Sequence, residues 1–257
     1  MTVGGMRPSR LARAAAVLPL VLLFTWSAPQ WREEAPEREA RAPVTGPAAP
    51  KPAVVGREVW HADEAAVREE PAYTRPAEAV FVHHTNHPNG YDCERDVPGM
   101  LRAMQRQHIE GRGWDDLGYN FVVDRCGTVY EGRADSERRT VLGAHTKGFN
   151  TRSLGIAALG RFGEGEEVPR PMLEAIAAVA AWKLGREVDP RGRVRMESTN
   201  DASRYPEGTD VTLDVIAGHR DGYDTDCPGQ ALYDALPELR VLVARLRDDH
   251  AAQAQGE

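Results

Sequence analysis

Val80-Phe81-Val82-His83-His84 is a β-branched and aromatic run that ends abruptly on two imidazoles. Consecutive apolar residues of this kind, without helical spacing, read as a buried strand, and a strand sends successive side chains to opposite faces. His83 and His84 therefore point to opposite sides of one sheet, so at most one of them lines a given site. Burying an imidazole requires a polar partner, which makes this strand end a candidate site. Tyr119-Asn120-Phe121-Val122-Val123-Asp124 alternates like a second strand, Cys126-Gly127-Thr128 predicts a tight turn into Val129-Tyr130, and Ser153 to Leu159 reads as a further strand. Residues 98–110 read as a helix, with Met100, Met104 and His108 at i, i+4 and i+8. Pro171 opens another, whose Leu173, Ile176, Ala177, Ala180 and Leu184 share a face up to Gly185. Leu232, Leu236, Leu239, Val243 and Leu246 predict a closing amphipathic helix. The stretch 187–210 is polar and turn-rich, a loop excursion with short strands at most. Strands interspersed with helices predict a single α/β domain over 56–250, a central mixed β-sheet flanked by helices, with 251–257 as a flexible tail.

The chain has 257 residues, 41% hydrophobic and 28% charged, which excludes a disordered, collagenous or polytopic membrane protein. A net charge of −7 lacks the clustered basic surface that phosphate backbones need, so no nucleic acid is expected as a partner. Arg7, Arg10 and Arg13 precede an apolar run from Ala14 to Trp26, shorter than the roughly 20 residues that cross a bilayer. Residues 1–28 are therefore expected to be a signal peptide, with an uncleaved anchor as the competing reading. Residues 29–55, rich in Pro, Ala and balanced charge, read as a linker. Losing the signal's three arginines takes the charge to −10 on an exported protein with no stable membrane association.

The eight histidines are unequal. For His61, His87, His108 and His250 the plain reading is a surface or satisfied core residue. His219 and Cys227, in contrast, sit eight apart across Gly218-His219-Arg220-Asp221-Gly222-Tyr223-Asp224-Thr225-Asp226-Cys227-Pro228-Gly229, so both side chains can turn toward one point. Two histidines and a thiolate suit zinc and leave a fourth tetrahedral position open for water, as in catalytic sites. The spacing matches no common zinc-finger or His-Glu-x-x-His pattern. On spacing alone, a disulfide at Cys227 and a turn-capping His219 stay open. Three cysteines permit three single pairings, each leaving one over. In an oxidising compartment a free thiol is a liability and a metal-bound thiolate is protected. Cys93 and Cys126 flank one region and Cys227 lies far beyond, so the expectation is a Cys93–Cys126 disulfide with Cys227 on the metal.

Five motifs then occur in order: Val82-His83-His84-Thr85; Gly113-Trp114-Asp115-Asp116-Leu117-Gly118-Tyr119-Asn120-Phe121; Gly127-Thr128-Val129-Tyr130-Glu131-Gly132-Arg133; Gly143-Ala144-His145-Thr146-Lys147-Gly148-Phe149-Asn150; and the His219–Cys227 loop. From about Arg57 through the C-terminal helix the chain resembles the peptidoglycan recognition protein family, the type 2 N-acetylmuramoyl-L-alanine amidases, in its secreted actinobacterial form. The resemblance implies one Zn²⁺ per chain held by His83, His219 and Cys227. It implies Tyr119 as the catalytic tyrosine, and Thr225, at a position held by Thr or Lys in active members, as an oxyanion partner. Their plainer readings are strand packing and a turn. His145 and Asn150 match positions lining the muramyl-peptide groove. Arg220 is a further candidate substrate contact, or else an ion-pair partner of Asp221 or Asp224. His61 departs from the family's usual Gly, away from the site. The implied activity is hydrolysis of the amide between the N-acetylmuramic acid lactyl group and L-Ala, by a secreted or cell-wall-associated monomer whose partner is peptidoglycan. Net acidity argues against simple electrostatic adhesion to an anionic wall, so recognition is expected from a shaped groove. Binding-only members lack the cysteine ligand, so Cys227 favours catalysis over the alternative, a non-catalytic peptidoglycan-binding module.

Overall fold

The computed structural model describes residues 46–256; the expected signal segment and the linker up to residue 45 lie outside the described residues. In chain order the elements are β1 (Val54–Val55), β2 (Ala79–His84), α1 (Val97–Arg106), β3 (Phe121–Val123), β4 (Val129–Glu131), β5 (Ser153–Ala158), α2 (Arg170–Lys183), β6 (Arg193–Glu197), β7 (Asp210–Asp214), β8 (Ile216–Gly218), α3 (His219–Gly222), α4 (Gln230–Asp234) and α5 (Leu236–Gly256). Six strands form one mixed sheet in the order β1-β4-β3-β5-β2-β8. Only the β3–β4 pair in it is antiparallel. Asp124 shapes the turn between them: its Oδ1 accepts the N–H of both Cys126 and Thr128 at 2.9 Å, and Gly127 takes φ +88.

Strand periodicity sorts the core. Val80, Val82, Phe121, Val123, Leu154 and Ile156 face α2 and α5, where Leu173, Ile176, Leu239 and Val243 are buried against them. Val122, Ala157 and Leu159 face α1 on the other side, with Leu101, Met104 and Trp60. Phe81 and Ala217 on that same side meet Phe149 and the β6–β7 hairpin through Met196 and Leu213. The sheet is thus covered on both faces, which suits its near-continuous apolar central strands. The β2 and β8 strands run parallel, with Val82 opposite Gly218, so both end at the same edge. In open α/β sheets ligands gather beyond the carboxyl ends of such strands.

Four sequence expectations change. The domain begins before residue 56: Ala49 is buried, Val54–Val55 pair with Val129–Tyr130, and Arg186 donates to the carbonyls of Gly46 and Pro47. Residues 187–210 contain one short strand, as allowed for, but this β6 pairs with β7 along five residues into a packed hairpin, because Val194 and Met196 alternate inward between outward arginines. The closing helix runs to Gly256, and the alanines and glutamines expected as a tail are good helix formers that prolong it. Leu246, counted on its apolar face, is 38% exposed, and Arg247 occupies the inward position one turn after Val243.

Arg247 reaches the C-terminal end of α2. Its guanidinium donates to the carbonyls of Ala181 (3.1 Å), Leu184 (2.6 Å), Gly185 (3.0 Å) and Val188 (2.6 Å). These include end-of-helix acceptors that have no intrahelical donor. The Cys93–Cys126 disulfide is present as expected and ties the segment before α1 to the β3–β4 turn. Arg247→Ala is expected to lower stability by about 2–4 kcal/mol, read as a lower urea midpoint with an unchanged slope; an unchanged midpoint would contradict the capping role.

Candidate metal centre

The end of β2 and the start of α3 bring the two histidines together. His83 is 0% exposed and its ring centroid lies 4.4 Å from that of His219. The loop after α3 returns Cys227 to the same point, with Sγ 3.8 Å from His83 Nδ1 and accepting the His84 N–H at 3.3 Å. One donor atom from each of His83, His219 and Cys227 lies within 4.8 Å of the other two. His84 points to the other side of the strand, as alternation requires, and its Nδ1 has no hydrogen-bond partner. The short helix is anchored from behind: Asp221 Oδ2 accepts the Gly218 N–H at 2.8 Å and Oδ1 accepts the Tyr233 hydroxyl at 2.8 Å.

Burial dominates the electrostatics. It pushes His83 well below the ordinary imidazole value and His219 down to about 4, and it pushes the Cys227 thiol up to about 12. Neutral imidazoles are already in the form that ligates metal, whereas the thiol needs a positive neighbour to ionise. Two histidines and one cysteine within reach of one point meet the requirements of a zinc ion, which would supply that charge.

The remaining expected residues divide. Tyr119 lies just before β3 with its ring centroid 5.1 Å from that of His83, and burial raises its phenol above the ordinary value. Thr225 Oγ1 accepts the Cys227 N–H at 3.2 Å, shaping the ligand loop. His145 is enclosed against His83, with Nδ1 3.3 Å from His83 Nε2, and burial lowers its pKa to about 3. Asn150 Oδ1 accepts the N–H of His145 at 2.9 Å and of Thr146 at 2.8 Å, closing the loop that carries both. Beside them opens a cleft of ≈ 400 Å³ bordered by Trp114, His145, Lys147, Asn150, His219 and Tyr223. Arg220 is turned away into a different depression. There it donates to Gln230 Oε1 and the Asp226 carbonyl, and lies over the Tyr233 ring at 4.6 Å, rather than pairing with Asp221 or Asp224.

Several site residues were not singled out from sequence. His108, read as a core histidine, sits on a π-turn (Gln107–Gly111) and accepts the Gly118 N–H through Nδ1 at 3.0 Å, next to Tyr119. Such turns recur at functional sites, yet nothing in the helical spacing announces one. Thr146 and Ser153 lie within 3.5 Å of the His145 imidazole. Trp114 and Tyr223 are aromatic residues in polar, glycine-containing segments, the one signal that could have flagged the cleft.

The sequence profile of the N-acetylmuramoyl-L-alanine amidase family matches residues 73–230. A human N-acetylmuramoyl-L-alanine amidase is 36% identical over 163 residues, 63% of this chain and 24% of that protein, so the match spans about a quarter of its length. Peptidoglycan-recognition protein LB of Drosophila melanogaster is 30% identical over 159 residues, 62% of this chain and 57% of its own. Among solved structures, Drosophila PGRP-LB aligns with a TM-score of 0.53 at 25% identity, over 72% of this chain and 92% of that one. Human PGRP-Iβ C, solved in complex with glycosamyl muramyl pentapeptide, aligns with a TM-score of 0.54 at 26% identity, over 72% and 94%. With the profile covering more than half of the sequence and the mixed sheet matching these folds, the chain belongs to the N-acetylmuramoyl-L-alanine amidase family and has the peptidoglycan recognition protein fold.

Proposed function

We propose that the protein is an exported zinc amidase that hydrolyses the amide joining the lactyl group of N-acetylmuramic acid to L-Ala of peptidoglycan stem peptides. The observation that carries this reading is the convergence of His83, His219 and Cys227 beside an open cleft. Relatives solved with muramyl peptides and with tracheal cytotoxin support the ligand class. The basic and apolar start of the sequence supports export, and no helix among the described residues is long and apolar enough to cross a membrane. The protein is proposed to act as a monomer.

His83, His219 and Cys227 would hold the zinc ion, which supplies Lewis acidity toward a carbonyl and a water acidified to near neutral pH. The chain's own groups do the rest. Burial keeps the Tyr119 phenol protonated, so it can donate a hydrogen bond where negative charge develops on the scissile carbonyl oxygen. Thr225 already accepts the Cys227 N–H, and its own hydroxyl proton is left to donate in the same role. Trp114 and Tyr223 offer aromatic faces and Lys147 a cation along the cleft, suited to a peptide bearing carboxylates.

Mass spectrometry of digested peptidoglycan tests the reaction: free stem peptides beginning with L-Ala are expected. Cleavage inside the stem would contradict the assignment, and binding without any product would favour the non-catalytic module. Metal analysis is expected to find about one zinc per chain, and Cys227→Ser to lose most of it. Full zinc retention in that variant would remove Cys227 from the site. Tyr119→Phe is expected to keep zinc and lose about 10²–10³-fold in kcat, whereas an unchanged kcat would reduce Tyr119 to packing.

A further inference from the structure

We propose that His145 is a positioning residue for His83, deciding which imidazole nitrogen of His83 is left bare for a metal. This rests on the metal-centre reading above. The His83 ring is enclosed, with Nδ1 3.8 Å from Cys227 Sγ, and Nε2 3.3 Å from His145 Nδ1 and 3.4 Å from Thr146 Oγ1. Each ring is neutral, because burial penalises an unpaired charge.

Proton directions follow from a group that can only accept. The Phe149 carbonyl lies 2.5 Å from Ser153 Oγ, so Ser153 donates to it and its oxygen is left to accept. His145 Nε2 faces that oxygen at 3.5 Å, which assigns the His145 proton to Nε2 and leaves its Nδ1 bare. A bare His145 Nδ1 facing a bare His83 Nε2 would oppose two lone pairs. His83 therefore carries its proton on Nε2. It donates either to His145 directly or through the Thr146 hydroxyl, which lies 3.1 Å from the same His145 Nδ1. Both routes leave His83 Nδ1 unprotonated and facing Cys227.

The slot for the His145 ring is built into the fold. In β5, Gly155 sits opposite Phe81 and Ala157 opposite His83, so the strand beside β2 is bare where the ring lies. A Cβ at Gly155, or at Gly143, would run into the imidazole. At 6% exposure, with both nitrogens engaged inside the protein, His145 has no ring nitrogen left for a ligand in the cleft. Metal-bound histidines are oriented by such partners, and losing the partner weakens metal affinity by about 10–100-fold.

Long-range ¹⁵N–¹H spectra of the zinc-loaded protein are expected to show His83 protonated on Nε2; protonation on Nδ1 would overturn the proposal. In competition with a chelator, His145→Phe is expected to bind zinc about 10–100-fold more weakly. His145→Gln, whose amide oxygen accepts the same proton, is expected to recover part of the loss. Ser153→Ala, at a buried position outside the cleft, is expected to weaken zinc binding in the same direction by less. If His145→Phe does not fold, Ser153→Ala and the wild-type spectrum decide. Unchanged zinc affinity in the variants, with only KM raised, would make His145 a substrate contact and overturn the positioning role alone. A wild-type protein that binds no zinc would sink this proposal together with the metal centre.

Discussion

Val80, Phe81 and Val82 pair with Ile216, Ala217 and Gly218 in parallel, and parallel strands finish on the same edge of a sheet. Segments more than 130 residues apart in sequence therefore deliver His83 and His219 to adjacent positions, one at the penultimate residue of β2 and the other at the first residue of α3. An antiparallel partner in the place of β8 would have carried His219 to the far end of the sheet. Apolar burial on both faces holds that pairing, with Val80 and Val82 against α2 and α5 and Phe81 against Phe149. The register is consequently hard to slip, since a shift of one residue would turn His83 into the helical layer and bury Val82 against polar groups.

Burial then sets the chemistry. The same enclosure that lowers the pKa values of the three site histidines raises the Cys227 thiol and the Tyr119 phenol. Without a cation every one of these groups is most stable neutral, so a divalent ion would be the site's main source of charge. Protein groups around it then serve orientation more than charge. Asp221 and Tyr233 hold α3, Asn150 holds the loop carrying His145, and Thr225 and the His84 N–H hold Cys227.

Much of this was legible in the residues because it rests on local pattern. Alternation put His83 and His84 on opposite faces, and the family resemblance, not the spacing, selected His83; counting reserved Cys227, and the tight turn at Cys126-Gly127-Thr128 followed from its residue types. What escaped was non-local. The paired strands of the 193–214 hairpin depend on packing against Phe149, which sequence adjacency does not reveal. Val54–Val55 looked like linker because a two-residue edge strand has no period to read, and only its pairing with β4 gives it a place. Arg220 looked like a site residue from its position beside His219, yet the turn of α3 points it at Gln230 and Tyr233 instead. Ser153 is an ordinary polar residue until β5 sets it beside the His145 imidazole, and Thr146 until its loop folds against His83.

Zinc-edge X-ray absorption on the purified protein reads out whether His83, His219 and Cys227 together hold one zinc ion. One sulfur neighbour at about 2.3 Å and imidazole nitrogens at about 2.0–2.1 Å are expected. A zinc shell of nitrogen and oxygen alone in the unaltered protein would contradict that ligand set.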